Sequence, residues 1–303
     1  MQYPGGKNGA GVYQKLINLT PPHSVYIEPF LGSGAVMRLK RPAGLNVGVD
    51  LVGSALSAVS ADIAGTDERR RRESPELARA DLLSLEVAAG PGPDRLAGPA
   101  DARPRFDFHQ GDGIDFLRRY PWAGGELIYC DPPYLMETRS SGRLYQFEFS
   151  DAQHLELLSL LVTLPCMVMV SGYWSSLYSE RLQGWNSIHF DAMTRGGLAT
   201  EWVWFNFPRP VALHDYRYLG EGFRAREGLQ RKKRRWAMAL SKMPVIERQV
   251  LTCSLLSDFR ERERIKRKRE RWTARINRMP LLEKQALLCA IADIAQNGGT
   301  VPE

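Results

Sequence analysis

The chain has 303 residues, 44% of them hydrophobic, enough to bury one full core and append something smaller. It lacks an apolar run of about 18 residues, so no transmembrane helix is expected. The net charge of +7 is uneven: residues 224–278 hold 19 Lys+Arg against 6 Asp+Glu, a local +13, while the remainder carries 22 against 28. A mildly negative body would repel a polyanion and a basic appendage would attract one. Cys130, Cys166, Cys253 and Cys289 lie in apolar contexts without Cys-x-x-Cys spacing, and the five histidines are scattered. That pattern reads as reduced core thiols of a cytoplasmic protein, with neither a disulfide frame nor a metal site.

Tyr3-Pro4-Gly5-Gly6-Lys7 opens the chain with a turn that brings an ammonium and free backbone N–H groups together, which suits a carboxylate ligand. A site so close to the start leaves no room for a cleavable signal peptide. The apolar run 25–29 then predicts a buried strand passing through Glu28-Pro29-Phe30 into Gly32-x-Gly34, a glycine turn that opens a helix. A second strand, 46–50, ends in Asp50, at about the spacing from which a carboxylate reaches ribose hydroxyls. Met37 stands where a dinucleotide fingerprint would carry its third glycine. A nucleoside ligand without pyrophosphate therefore fits better than NAD.

Residues 51–105 are polar, with Arg69–Arg72 and a Gly-Pro-Gly-Pro run, and predict a reduced, partly loop-like insertion. Strands are expected at 106–109 and 127–130. The second runs into Asp131-Pro132-Pro133-Tyr134, where the prolines hold the backbone extended so that carbonyls point into a cleft. Asp131 adds a carboxylate acceptor and Tyr134 a π-face, together suited to an exocyclic amine on a flat base. A plain strand-end turn is the competing reading. The polar loop 135–149 carries Arg139 and Arg143, placed for phosphates. Residues 151–161 predict a helix capped by Ser150 or Asp151, with Leu155, Leu158 and Leu161 or Val162 buried. Strands at 166–170, 187–191 and 202–206 complete seven, the last two forming an antiparallel pair at one edge.

The tail repeats with a period of 36. Arg231-Lys232-x-x-Arg235-Trp236 recurs as Arg267-Lys268-x-x-Arg271-Trp272, and a Met-Pro-x-x-Glu-x-Gln-x-Leu-x-Cys block recurs after it, giving ten identities. Each unit reads as a helical hairpin. Its same-sign block favours a DNA contact over a merely solvated face, with docking of a protein partner as the alternative.

In this order, the Gly-Gly-Lys start, Glu28-Pro29-Phe30-x-Gly32-x-Gly34, Asp50, Gly111-Asp112 and Asp131-Pro132-Pro133-Tyr134 resemble the Dam-like (D12 class) N6-adenine DNA methyltransferases, in their compact prophage and mobile-element branch. The resemblance covers roughly residues 1–220. It implies a class I S-adenosylmethionine-dependent methyltransferase domain, an α/β fold with a Rossmann-like seven-stranded sheet, followed by a basic helical appendage over 221–303. It implies cofactor contacts from Tyr3, Lys7, Glu28, Phe30, Gly32, Gly34, Asp50, Asp112 and Asp131. Residues Asp131 to Tyr134 would hold an adenine flipped from double-stranded DNA, and Arg139, Arg143, Arg231, Lys232, Arg235, Arg267, Lys268 and Arg271 would contact the DNA. Neither membrane nor metal is implied, and the oligomeric state, monomer or weak dimer, stays open. Departures are the short 51–105 interval, where the family carries a recognition domain, and the tail, which has no family counterpart. A catalytically idle DNA-binding module and an RNA methyltransferase are the alternatives.

Overall fold

A computed structural model describes residues 7, 9, 11–73, 103–139, 147–194, 197–247, 250–251, 270–271, 274 and 278. The chain divides into two compact units, Met1–Arg234 and Arg235–Glu303. In the first, strands β1 (Val25–Glu28), β2 (Leu45–Asp50), β3 (Arg105–Gln110), β4 (Glu126–Cys130), β5 (Met167–Gly172), β6 (Asn186–Thr194) and β7 (Gly197–Phe205) form one sheet of order β3-β2-β1-β4-β5-β7-β6. β1 to β5 pair in parallel, and β7 runs antiparallel to both β5 and β6. This is the class I methyltransferase sheet expected from the sequence, including its reversed edge pair.

Helices α1 (Val12–Ile17), α2 (Ala35–Leu39) and α3 (Gly53–Glu73) carry Leu16, Val36, Met37, Leu56 and Val59 into the core that also holds Tyr26, Leu127, Tyr129, Val203 and Phe205. Ile27, Ile128, Cys130, Val168 and Trp204 belong to a second core shared with α4 (Gly113–Arg119), α5 (Asp151–Leu161) and α6 (Ser176–Arg181). Alternation along each strand sends successive side chains to opposite faces, so the central strands read as continuous apolar runs. α7 (Phe223–Ser241) has no buried residue.

The interval after Asp50, expected as a partly loop-like insertion, begins with the 21-residue helix α3. Over residues 53–66 its apolar stripe is thin: Leu56 and Val59 are buried, Ile63 partly so, and most other positions are exposed. Residues 74–102 of that interval lie outside those described. In α5, Ser150 caps through a reciprocal box with Gln153, and the buried positions are His154, Leu157, Leu158 and Leu161. Leu155 and Val162 fall one step off that 3.6-residue stripe, and Val162 is exposed. Among the described residues no helix is long and apolar enough to cross a membrane, and none form a group of three or more His, Cys, Asp or Glu able to hold a metal ion.

The segment after β7 straps back across the sheet's N-terminal side. His214 N donates to Thr20 O at 2.9 Å, and Asp215 accepts from Arg41 N at 2.9 Å and from Arg217. The His214 ring stacks on His23 at 3.9 Å, with the buried Lys40 ammonium 3.1 Å from His23 Nε2. Burial, reinforced by Lys40, holds His214 down to about 3. Burial, reinforced by Arg139, holds His154 down to about 4. Both bases are neutral in the fold, so their contribution is complete above pH 6.5 and is lost as pH falls below it. Denaturant titrations should therefore show a stability loss on the order of 1–2 kcal/mol per histidine between pH 6.5 and 5. His214→Gln should flatten that dependence, and an unaltered slope would remove His214 as its source.

Candidate active site

The strand order reverses direction between β1 and β4, and the crevice this opens at their carboxyl ends is where open α/β sheets bind ligands. From β1 the chain turns through Gly32 (φ 51°) and Gly34 (φ 57°), both left-handed, before α2. A Cβ on Gly34 would stand 2.9 Å from both Val59 methyls, so glycine lets α2 and α3 meet. Asp50 braces this turn from β2: its Oδ2 accepts from Gly32 N at 2.7 Å and its Oδ1 from Val52 N at 2.8 Å. Asp112 caps α4 by accepting from Ile114 N and Asp115 N through Oδ1. Gly113, next to it, packs so closely that a Cβ would lie 2.2 Å from the Pro29 carbonyl oxygen.

These loops line a cleft. Of the residues expected at a cofactor, Lys7, Glu28, Phe30, Gly32, Asp50, Asp112 and Asp131 line it, while Gly34 shapes the turn. Tyr3 lies outside the described residues. Phe147 and Phe149, at the end of the polar loop, and Gln153 of α5 line it as well, with Phe149 edge-on to Phe30 at 5.4 Å. Glu28, on the floor, accepts from the Tyr26 hydroxyl at 2.8 Å, and burial pushes its carboxyl up to about 8.

At the other end of the cleft stands a buried charge network. Lys7, 6% exposed, lies 2.8 Å from Asp131 Oδ1 and 3.2 Å from Glu201 Oε1, and also donates to the Tyr134 hydroxyl. Ser171 Oγ donates to the same Asp131 oxygen at 2.7 Å and stands 2.9 Å from the Tyr129 hydroxyl. Asp131 Oδ1 is thus held by two donors, while Asp131 as a whole, 18% exposed, lines the cleft with Pro133. Tyr134 is buried: its hydroxyl donates to Glu201, its ring meets Tyr173 edge-on at 4.7 Å, and Lys7 lies over it at 4.8 Å. Burial raises the Glu201 carboxyl, and Lys7 opposes that shift.

Arg139 differs from expectation. Its side chain is 3% exposed, pairs with Glu148 at 2.7 Å and donates to the Tyr134 carbonyl, so it ties the two ends of the polar loop together instead of meeting a phosphate. A buried guanidinium needs fixed acceptors, and these lie within its own loop. Arg231, Lys232 and Arg235 are exposed on α7, and Arg271 is exposed too. Arg143, Arg267 and Lys268 lie outside the described residues. Sequence reasoning missed Glu201, Ser171, Tyr129 and Phe149. For Glu201 a signal existed: an acid on the strand face that also carries Val203 and Phe205.

No protein-family model and no curated protein matches the chain. Solved structures similar to it include precorrin 8w decarboxylase of Methanobacterium thermoautotrophicum (11% identity, 68% of this chain and 94% of that chain, TM-score 0.37). A putative RNA methyltransferase of Pyrococcus horikoshii shares 11% identity over 69% of this chain and 86% of its own, with a TM-score of 0.35. A putative rRNA methylase of Clostridium thermocellum shares 13% over 66% and 98%, with a TM-score of 0.37. Likeness at this level bears on the fold alone, which the strand order establishes independently. The expectation of N6-adenine methylation in DNA is corrected. The nucleic acid named among these structures is RNA.

The close approach of Gly113 to Pro29 makes a direct test of how the cleft is built. Gly113→Ala should destabilise the protein by about 1–3 kcal/mol, since backbone must move to admit the methyl group. Gly111→Ala, with nothing within 4 Å of its added Cβ, should stay within about 0.5 kcal/mol of wild type. Equal stability of the two variants in chemical denaturation would contradict this packing.

Proposed function

We propose that the chain is an S-adenosylmethionine-dependent methyltransferase that modifies an exocyclic amino nitrogen of a base in RNA. The observation that carries this reading is Asp131 at the end of β4, with Oδ1 fixed by Lys7 and Ser171 and the residue lining the cleft. The cleft suits the cofactor: it has glycines where backbone must come close, an aromatic side chain in Phe30, and carboxylates at the ends of β2 and β3. Asp50 and Asp112 would hold it, because a carboxylate oxygen that takes one or two N–H donors still has acceptor capacity for hydroxyl or amino groups. Lys7, Glu28 and Phe30 would line its other end. When bound, the cofactor supplies an electrophilic methyl group on a sulfonium sulfur.

The rest falls to the protein. The lone pair of a base amine is delocalised into the ring. Asp131 Oδ2 would accept one amine N–H and the Pro132 carbonyl the other, drawing the nitrogen towards tetrahedral geometry and returning electron density to it. The proton becomes acidic only after methylation, and Asp131 is placed to take it. Pro133 restricts the preceding backbone, so the Pro132 carbonyl is held without a ladder partner. Base edges in a paired RNA helix are poorly accessible, so an unpaired or extruded base is the form that fits. Of the polymers considered, RNA is the one the similar structures name.

Nucleoside mass spectrometry after incubation with cofactor and either tRNA, rRNA or duplex DNA tests this. An N-methylated base is expected in RNA, and methylation of DNA alone would overturn the choice of polymer. Asp131→Asn is a sharp companion. Lys7 and Ser171 both donate to Oδ1, so the amide carbonyl must occupy that position and its NH₂ then faces the substrate amine. The single-turnover rate should fall by on the order of 10²-fold, and a rate within about threefold of wild type removes Asp131 from the mechanism.

The exposed Arg231, Lys232 and Arg235 of α7 would track the phosphate backbone. Replacing all three by Glu should weaken RNA binding and make the dependence of log K on log salt shallower by about 2, at roughly 0.7 per phosphate contact on a single strand. An unchanged slope would assign this face to a protein partner.

A further inference from the structure

Three acceptors surround the Lys7 ammonium: Asp131 Oδ1 at 2.8 Å, Glu201 Oε1 at 3.2 Å, and the Tyr134 hydroxyl, the last two buried. Glu201 comes from β7, the strand inserted between β5 and β6, on the face that also presents Val203 and Phe205 to the core. A carboxylate there, 6% exposed, is costly unless paired. Its partners are Lys7, which lines the cleft, and the buried Tyr134 behind it in the same turn as Asp131. It makes no direct approach to the cleft, whose lining includes Asp131 and Lys7.

We propose that Glu201 is a positioning residue for methyl transfer: by holding Lys7 and Tyr134 from the neighbouring strand, it divides the ammonium between two carboxylates and so preserves the acceptor strength of Asp131. This rests on the reaction assigned above. With Asp131 alone, Lys7 would form a one-to-one ion pair, and much of the carboxylate's charge would be spent on the ammonium. With Glu201 ionised, the form that Lys7 and the Tyr134 hydroxyl favour against burial, two carboxylates face one ammonium and the cluster keeps one surplus negative charge. Positive charge arrives at the substrate nitrogen as the methyl is transferred, beside Asp131, where that surplus stabilises it. Glu201 also fixes geometry. Tyr134 closes the Asp-Pro-Pro-Tyr turn, and its hydroxyl, tied to both Lys7 and Glu201, anchors the turn that sets the Pro132 carbonyl. The three groups are therefore one unit, and damage to any one of them should look alike.

Glu201→Gln keeps the shape and removes the charge. Single-turnover methyl transfer to RNA should fall by about 10–100-fold. RNA KM, calorimetric affinity for S-adenosylhomocysteine and the thermal midpoint should stay close to wild type, a split that a merely structural residue would not give. Tyr134→Phe should also slow transfer, and the double variant should be no more than about threefold slower than the slower single variant, as expected for coupled residues. Losses that multiply would overturn the proposal, as would a Glu201→Gln rate within about threefold of wild type. A measurement free of substrate separates this from the reaction itself. In lysine-¹⁵N-labelled protein, the Lys7 ammonium resonance should be protected from exchange with water and should shift and broaden in Glu201→Gln, and an unchanged resonance refutes the shared-ammonium arrangement. A wild type that transfers no methyl group to RNA overturns the reaction, and with it the part Glu201 plays there, even where the Lys7 signal still moves.

Discussion

The parallel pairing of β1 with β4 is the constraint on which the site depends. Val25, Tyr26 and Ile27 align with Glu126, Leu127 and Ile128, so Glu28 and Asp131 emerge on adjacent strands at the same end of the sheet. The connections leaving these strands run to opposite sides, α2 to one and α5 to the other. Backbone that diverges there cannot complete a ladder, and the gap becomes the cleft. Its closeness is set by glycine: only a residue without Cβ lets the start of α4 touch the Pro29 carbonyl.

Within this frame, acidic side chains divide between two tasks. Asp50 and Asp112 satisfy backbone N–H groups at loop and helix starts, which stiffens the loops that any ligand must meet. Asp131 and Glu201 instead share one buried ammonium. Burying three charged groups opposes folding unless each is compensated, so the network is retained at a cost that packing elsewhere must offset. The dense apolar faces of the sheet supply that offset, with Ile27, Leu127, Ile128, Val168 and Phe205 wholly buried beside the network.

A second polar cluster, His23, Lys40, His214 and Asp215, lies at the far side of the sheet and has a different purpose. It fastens the strap that follows β7 against the loops before β1 and after α2. Burial lowers the basicity of both histidines and draws Lys40 down to about 7, so the stacked rings are held as neutral groups, while Asp215 keeps its ion pair with Arg217. The two polar centres thus sit on opposite ends of the same strands, one built for ligands and one for anchoring.

The methyltransferase class and most of the cleft residues came from the resemblance of ordered motifs to a known family, while strand periodicity and the glycine turn were enough to read the strands and the reversed edge pair from the sequence. These are local signals: a buried strand must be apolar, a tight turn needs glycine, and a strand's last residue faces the crevice. Three features were decided only by tertiary structure. Arg139 looked like a phosphate contact because its loop is polar, yet Glu148 and the Tyr134 carbonyl bury it. Tyr134 looked like an open aromatic face, yet its hydroxyl is drawn inward by residues 127 positions before it and 67 after it. Glu201 fell just outside the strand expected at 202–206 and had no role in the sequence reading. Its role exists because β7 inserts beside β5, a pairing that follows from the sheet's closure against both cores and that no local pattern encodes.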